Sequence, residues 1–334
     1  MAEGKKKFRA AITATAHFLP DKVVSNADME QVVNTSDEWI RTRTGIAERR
    51  FLSADEPTST MAIAVAQELL ARRGIAADDI DLIIVATITP DMIFPATACL
   101  VQHAIGASRA WAYDLSAACS GFVFAVVTGA QFIESGTHRR VMVVGADKMS
   151  TILDFQDRST CVLFGDGAGG VLLERGEDGA GMIDFELYAD GSDVECLHIK
   201  GGGSLYPPSH ETVDEGMHYI RQEGRTVFRF AVKKMAEVSV SLLARNGLTG
   251  ADLKLFVPHQ ANKRIIDAAA ERMDLPPEKV MINIDRYANT TAATIPIALA
   301  EAADQGRLEC GDLVLMSGVG GGLTWGSALF RWGQ

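Results

Sequence analysis

The sequence predicts an α/β fold built from two pseudo-repeated halves, on three observations. Four short runs are apolar on both faces, as strands of a covered sheet are: LIIVAT (82–87), VMVVGAD (141–147), LFVPH (255–259) and LVLMSG (313–318). Longer stretches with helical patterning alternate with them, at 60–73, 121–134, 226–245, 261–272 and 291–304, which favours α/β layers. The third observation is order. Val85 and Val257 lie 172 residues apart, as do Val144 and Met316, while Cys119 and Asn289 lie 170 apart. Three anchors at nearly one offset indicate a duplicated unit, with halves at 1–175 and 176–334. Two unrelated α/β domains of similar strand spacing are the competing reading.

Taken in order, the chain opens with MAEGKKKF, which has charge but no signal-type apolar segment after it. No uninterrupted apolar stretch reaches the ~18 residues of a membrane span, so a cytoplasmic protein is expected. The strand LIIVAT leads to AYDLSAACSGF (112–122), which aligns with INIDRYANTT (282–291) of the second half. This puts Cys119 and Asn289 at equivalent strand-to-helix junctions. FGDGAGG (164–170) lacks GxGxxG spacing and a Lys-Ser/Thr ending, so it reads as a strand-turn element and not a phosphate loop. Residues 184–223, with KGGGSLYPPSHE inside, read as a surface loop or flap.

Composition narrows the function. A net charge of −11 argues against a general nucleic-acid binder, which needs a basic face. The five cysteines are odd in number and show no CxxC or Cys/His zinc spacing. No metal site is expected, and a reduced compartment fits. For any one of these cysteines the plain reading is a small buried apolar residue.

Cys119 differs in its setting. Ala117, Ala118, Ser120 and Gly121 around it leave room for a substrate. Its place before a helix-like run puts the sulfur at a helix N-terminus, which favours thiolate and lowers the pKa from about 8.5. His259 ends a strand at the sheet edge where α/β sites collect, stiffened by Pro258. Asn289 sits among small residues in RYANTTAAT; taken alone it also reads as a helix cap. In SGVGGGLTWGS (317–327), Gly320 to Gly322 permit close backbone approach, and an N–H there can share an oxyanion with the N–H of Cys119. A plain strand turn is the bland alternative.

With these residues in view, the sequence resembles the β-ketoacyl-(acyl-carrier-protein) synthase III family of the thiolase superfamily. The resemblance rests on TSDEWIRTRTGI (35–46), ATITPDMIFPAT (86–97), DLSAACSGF (114–122), DRSTCVLFGDGAG (157–169), VPHQANKRII (257–266), RYANTTAAT (286–294) and GGGLTWGS (320–327), in family order over about residues 9–332. It implies a thiolase-like fold in a five-layered αβαβα arrangement, a homodimer, and a Cys119, His259, Asn289 triad. Elongating synthases carry Cys-His-His instead, and biosynthetic thiolases a second cysteine.

The implied reaction is decarboxylative condensation of a short acyl-CoA primer, acetyl-CoA first, with malonyl-acyl carrier protein through an acyl-cysteine. No cofactor is required. The resemblance assigns the oxyanion to the N–H groups of Cys119 and Gly321. It assigns CoA binding to Trp39 and Arg43 around the adenine, Arg158 at a phosphate, and Asn262. Phe94, from across the dimer, and Phe164 would bound the primer. Arg264, with Lys263, Arg272 and Arg229, would dock an acidic carrier protein; the plain reading of each is a solvated helix face. A starter-condensing synthase of secondary metabolism and a Cys-His-Asn thioester hydrolase are the alternatives.

Overall fold

In the computed structural model, which describes residues 8–333, each of two sheets is drawn from one stretch of chain. The charged MAEGKKK start lies outside the described residues. The first sheet holds β1 (Ala10–Phe18), β2 (Leu82–Ala86), β3 (Trp111–Leu115), β4 (Arg140–Asp147) and β5 (Gly167–Arg175), in spatial order β1-β5-β4-β2-β3. The second holds β6 (Gly181–Ala189), β7 (Leu255–Pro258), β8 (Leu313–Gly320) and β9 (Thr324–Arg331), in order β7-β8-β9-β6. The anchors of the repeat occupy matching places. Val85 pairs with Val144 across the parallel strands β2 and β4, and Val257 pairs with Met316 across the parallel strands β7 and β8.

Six helices sort into layers by the distribution of their apolar residues. They are α1 (Thr58–Arg73), α2 (Thr97–Ala104), α3 (Gly121–Glu134), α4 (Gly224–Arg245), α5 (Lys263–Arg272) and α6 (Thr294–Asp304). GFVFAVVTGAQFIE and TIPIALAEAAD are apolar nearly all round, so α3 and α6 belong in the middle. Both pack between the two sheets. Helices α1 and α2 cover the outer face of the first sheet, and α4 and α5 the outer face of the second. The result is the five-layered thiolase-like fold. Gly169 lets α6 lie close on β5: a Cβ there would come within 2.7 Å of the Ile297 nitrogen.

Two expectations need correction. Residues 184–223 do not form one loop, because 184–189 belong to β6, which pairs with β9 along the edge of the second sheet. The remainder carries short elements, including Leu197–His198 paired with Arg221–Gln222. The segment before Asn289 is not a strand matching β3. It makes one isolated bridge, Phe256 to Val280, then a helical turn, Ile284–Tyr287. The chain leaves the sheet at Asn283, whose N–H donates to Gln260 Oε1 and whose carboxamide donates to Glu301. Among the described residues, no helix is long and apolar enough to cross a membrane.

Candidate active site

The turn that carries Cys119 is held from both sides of the molecule. Residues Ala118–Ser120 form one tight helical turn between β3 and α3, entered through Ala118 at φ +46°. Ser120 Oγ hydrogen-bonds the Ala117 carbonyl at 2.8 Å and Thr324 Oγ1 at 2.8 Å. The glycine run that ends β8 lies against the same turn. A Cβ on Gly320 would fall 2.8 Å from both the Cys119 nitrogen and the Ala117 oxygen, so only glycine allows this approach.

His259 follows β7 directly, and its backbone N–H donates to the Ser317 carbonyl at 2.8 Å. Its ring Nδ1 is hydrogen-bonded to Thr294 Oγ1 at 2.6 Å, leaving Nε2 for other partners. Asn289 is fixed at both ends. Its backbone N–H donates to the Leu163 carbonyl, and its Oδ1 accepts from the Thr291 N–H at 2.9 Å. With Oδ1 so engaged, the amide nitrogen is the end left to donate into the cavity shared with Cys119, and Asn289 acts to lower the Cys119 pKa.

These three side chains share one cavity of ≈ 810 Å³. Each is buried: Cys119 is 7% exposed, His259 1% and Asn289 6%. Gly320, Gly321 and Phe164 also line it, while Trp39, Arg43, Asn262 and Arg264 bring more exposed polar side chains to its wall.

Burial decides the electrostatics. The Cys119 thiol is pushed up to about 12, first by loss of solvent and then by the nearby Asp147 carboxylate; the Asn289 side chain works against this. His259 is pushed down to about 3 by burial. The expected depression of the cysteine pKa is therefore reversed. The helix N-terminus is present, but its partial charge is outweighed by desolvation. Near neutral pH the pair is an uncharged thiol beside an uncharged imidazole.

The other expected site residues divide. Phe164 is 2% exposed and bridges to Asn289 in the backbone. Phe94 is 81% exposed on a surface loop and does not line the cavity of its own chain. The Arg158 guanidinium lies over the Trp39 ring, 4.7 Å from its centroid. Asn262 caps α5 by accepting from the Arg264 N–H at 3.0 Å, and donates to the Arg43 carbonyl at 3.0 Å, so it holds the Arg43 loop. Arg264 packs over the Phe228 ring at 4.9 Å. Lys263 is paired with Asp267 at 2.7 Å, which reduces its share of any basic patch; Arg272 and Arg229 are exposed. Among the described residues no cluster of His, Cys, Asp and Glu has metal-holding geometry.

Sequence reasoning missed the apolar wall made by Ile88, Leu197, Ile199 and Ile220. Three of these come from the segment read only as a flap. It also missed Thr294 and Asp147, which act on the site through contacts distant in sequence.

Comparisons with known proteins agree over nearly the whole length. A family model described as 3-oxoacyl-[acyl-carrier-protein (ACP)] synthase III matches residues 113–191, and its C-terminal counterpart matches 243–332. A β-ketoacyl-[acyl-carrier-protein] synthase III from Chlorobaculum tepidum is 57% identical over 327 residues, covering 97% of this chain and 99% of its own. The crystal structure of 3-oxoacyl-[acyl-carrier-protein] synthase III from Aquifex aeolicus superposes with TM-score 0.90 at 46% identity, over 97% of this chain and 100% of that one. The Thermus thermophilus β-ketoacyl-[acyl-carrier-protein] synthase III gives TM-score 0.90 at 44% identity, over 97% and 99%.

Proposed function

This chain belongs to the β-ketoacyl-[acyl-carrier-protein] synthase III family and is a condensing acyltransferase of fatty acid biosynthesis, and on that footing we propose how its residues divide the work. Residues 1–175 contribute the nucleophile and 176–334 the two donors. The observation that carries this reading is the convergence of Cys119, His259 and Asn289 on one buried cavity, with Asn289 Oδ1 engaged by the Thr291 N–H so that the amide nitrogen is left to donate.

In the first step Cys119 sulfur bonds to the acyl carbon of a short acyl-CoA, acetyl-CoA first. The bond to CoA sulfur breaks, and the thiol proton ends on the departing CoA. In the second step malonyl-acyl carrier protein enters and its carboxyl leaves as carbon dioxide. The electron pair of the broken C–C bond becomes an enolate. Asn289 and the Nε2–H tautomer of His259, whose Nδ1 then accepts the Thr294 hydroxyl hydrogen, donate to its oxygen, and a histidine with so low a pKa gives hydrogen bonds without adding a charge. The enolate carbon then attacks the acyl-Cys119 carbonyl. The N–H groups of Cys119 and Gly321 hold the oxyanion until the sulfur is expelled as a thiolate, which takes one proton from water to restore the Cys119 thiol. Thioester cleavage and carbon dioxide loss drive the sequence with no cofactor.

Trp39 and Arg43 take the CoA adenine between them, with Arg158 moving from the Trp39 face to a phosphate and Asn262 beside the pantetheine arm. Arg264, assisted by Arg272, Arg229 and Lys263, receives the acidic carrier protein. The enzyme works as a cytoplasmic homodimer. Phe94, exposed here beside an 80%-exposed Ile93, caps the partner's primer pocket opposite Phe164. Such a ring limits the primer to short chains.

The test is a steady-state panel of acyl-CoA primers with malonyl-acyl carrier protein, reading carbon dioxide release. Acetyl-CoA should be strongly preferred to octanoyl-CoA, and Arg264→Glu should raise the carrier-protein KM by about tenfold or more. A preference for octanoyl-CoA, or an unchanged KM in an active Arg264→Glu enzyme, contradicts the reading.

A further inference from the structure

Both proposed donors, His259 and Asn289, trace back through hydrogen bonds to one backbone residue, Thr291. The Thr291 N–H fixes Asn289 Oδ1 at 2.9 Å. The Thr291 carbonyl accepts from Thr294 Oγ1 at 3.1 Å, and Thr294 Oγ1 is the partner of His259 Nδ1. Thr291 holds φ +49°, a left-handed conformation that a β-branched residue rarely adopts. Something must therefore keep it there.

That anchor is Asp147, at the end of β4 in the other half of the molecule. It is fully buried. Its Oδ2 accepts from the Thr291 hydroxyl in a short hydrogen bond, and from the Ala292 N–H at 3.2 Å. Its Oδ1 is occupied by the loop after β2: the Ile88 N–H at 2.8 Å, the Thr89 N–H at 3.2 Å and the hydroxyls of Thr87 and Thr89 at 3.0 and 2.9 Å. Six donors from two loops close on one carboxyl group that does not line the cavity. Burial raises the Asp147 pKa, and the hydrogen bonds from Thr291, Ile88, Thr89 and Ala292 work against that rise.

We propose that Asp147, Thr291 and Thr294 form a hydrogen-bonded brace that positions His259 and Asn289 together, so that both point at one oxygen during carbon dioxide loss. Thr291 and Thr294 are positioning residues: the Thr291 hydroxyl is spent on Asp147, and Thr294 Oγ1, within reach of both the Thr291 carbonyl and His259 Nδ1, gives its one hydrogen to the carbonyl when His259 carries Nδ1–H and to Nδ1 when His259 carries Nε2–H. Cys119 is held by a separate set of bonds, to the Ser120, Thr324 and Gly320 region, so the brace serves one half-reaction more than the other.

The inference rests on the roles proposed above for His259 and Asn289, and the test separates the two. Two rates are read on each variant: acetyl transfer from acetyl-CoA to Cys119 by intact-protein mass spectrometry, and carbon dioxide release from malonyl-acyl carrier protein by the acetylated enzyme. Thr294→Val cuts only the His259 branch; Thr291→Val cuts the link to Asp147. Each should slow carbon dioxide release by about 100-fold, the scale of a small misplacement of reacting groups, and leave acetyl transfer within a few-fold. Thr291→Ser keeps the hydroxyl and should restore both rates. Should Thr291→Val fail to fold, Thr294→Val alone decides the matter, with its melting temperature as control. The brace is refuted if Thr294→Val releases carbon dioxide at the wild-type rate, or if both half-reactions fall together. Asn289→Ala is the control on the underlying roles: if it leaves carbon dioxide release intact, the donor assignment itself is wrong.

Discussion

Cys119 and His259 are held uncharged by the same burial that makes the cavity. A thiol at about 12 is almost wholly protonated at neutral pH, and each rise of one pH unit below that value increases the thiolate about tenfold. Alkylation of Cys119 by a small haloacetamide should therefore climb steadily from pH 7 to pH 10 without levelling off. A plateau near pH 7 would mean a helix-stabilised thiolate instead. That Cys119 and Asn289 come to one cavity was legible in the sequence, because small neighbours and a repeated offset surround both. The charge state of Cys119 was not. A helix N-terminus is visible in a string of residues, whereas the desolvation that overrides it is the sum of everything packed around the sulfur. The same holds for Thr294, whose bond to His259 joins residues 35 positions apart with no local pattern to announce it.

Among the elements, the strands and helices that form layers were readable because their apolar patterns are long. The helix expected at 121–134 is found as Gly121–Glu134, and that expected at 261–272 as Lys263–Arg272, started late by the Asn262 cap. The stretch 184–223 was harder. Its Gly, Pro and Ser residues announce turns, and they hid the end of a strand and an apolar wall. Leu197 and Ile220 acquire meaning only against Gly321 and the cavity. The glycine run that ends β8 gives the sharpest test at this scale. Gly320→Ala would drive a methyl into the Cys119 turn, and overpacking of this kind costs about 1–3 kcal/mol. Denaturant titration should show that loss, with activity falling as the turn moves. Gly203→Ala, where nothing lies within 4 Å of the added carbon, should leave both unchanged. Equal effects at the two positions would contradict the packing described.

At the scale of the whole molecule, duplication explains why one cavity can draw on two halves. Val85 with Val144 and Val257 with Met316 are register partners in corresponding strand pairs, so the offset of 172 residues read from the sequence marks real equivalence. The match fails where the second half lacks a counterpart to β3. There the chain needs the turn that presents Asn289, and the hydrogen bonds of Asn283 and Glu301 take it out of the sheet. The central claim is that this convergence makes Cys119 the carrier of the primer. Peptide mass spectrometry after exposure to acetyl-CoA tests it most directly, followed by a chase with malonyl-acyl carrier protein. The account predicts one acetyl group on the peptide containing Cys119, lost in the chase with release of one carbon dioxide, and none on Cys119→Ser. Acetyl found on Cys99, Cys161, Cys196 or Cys310 instead, or retained on Cys119 through the chase, would contradict it.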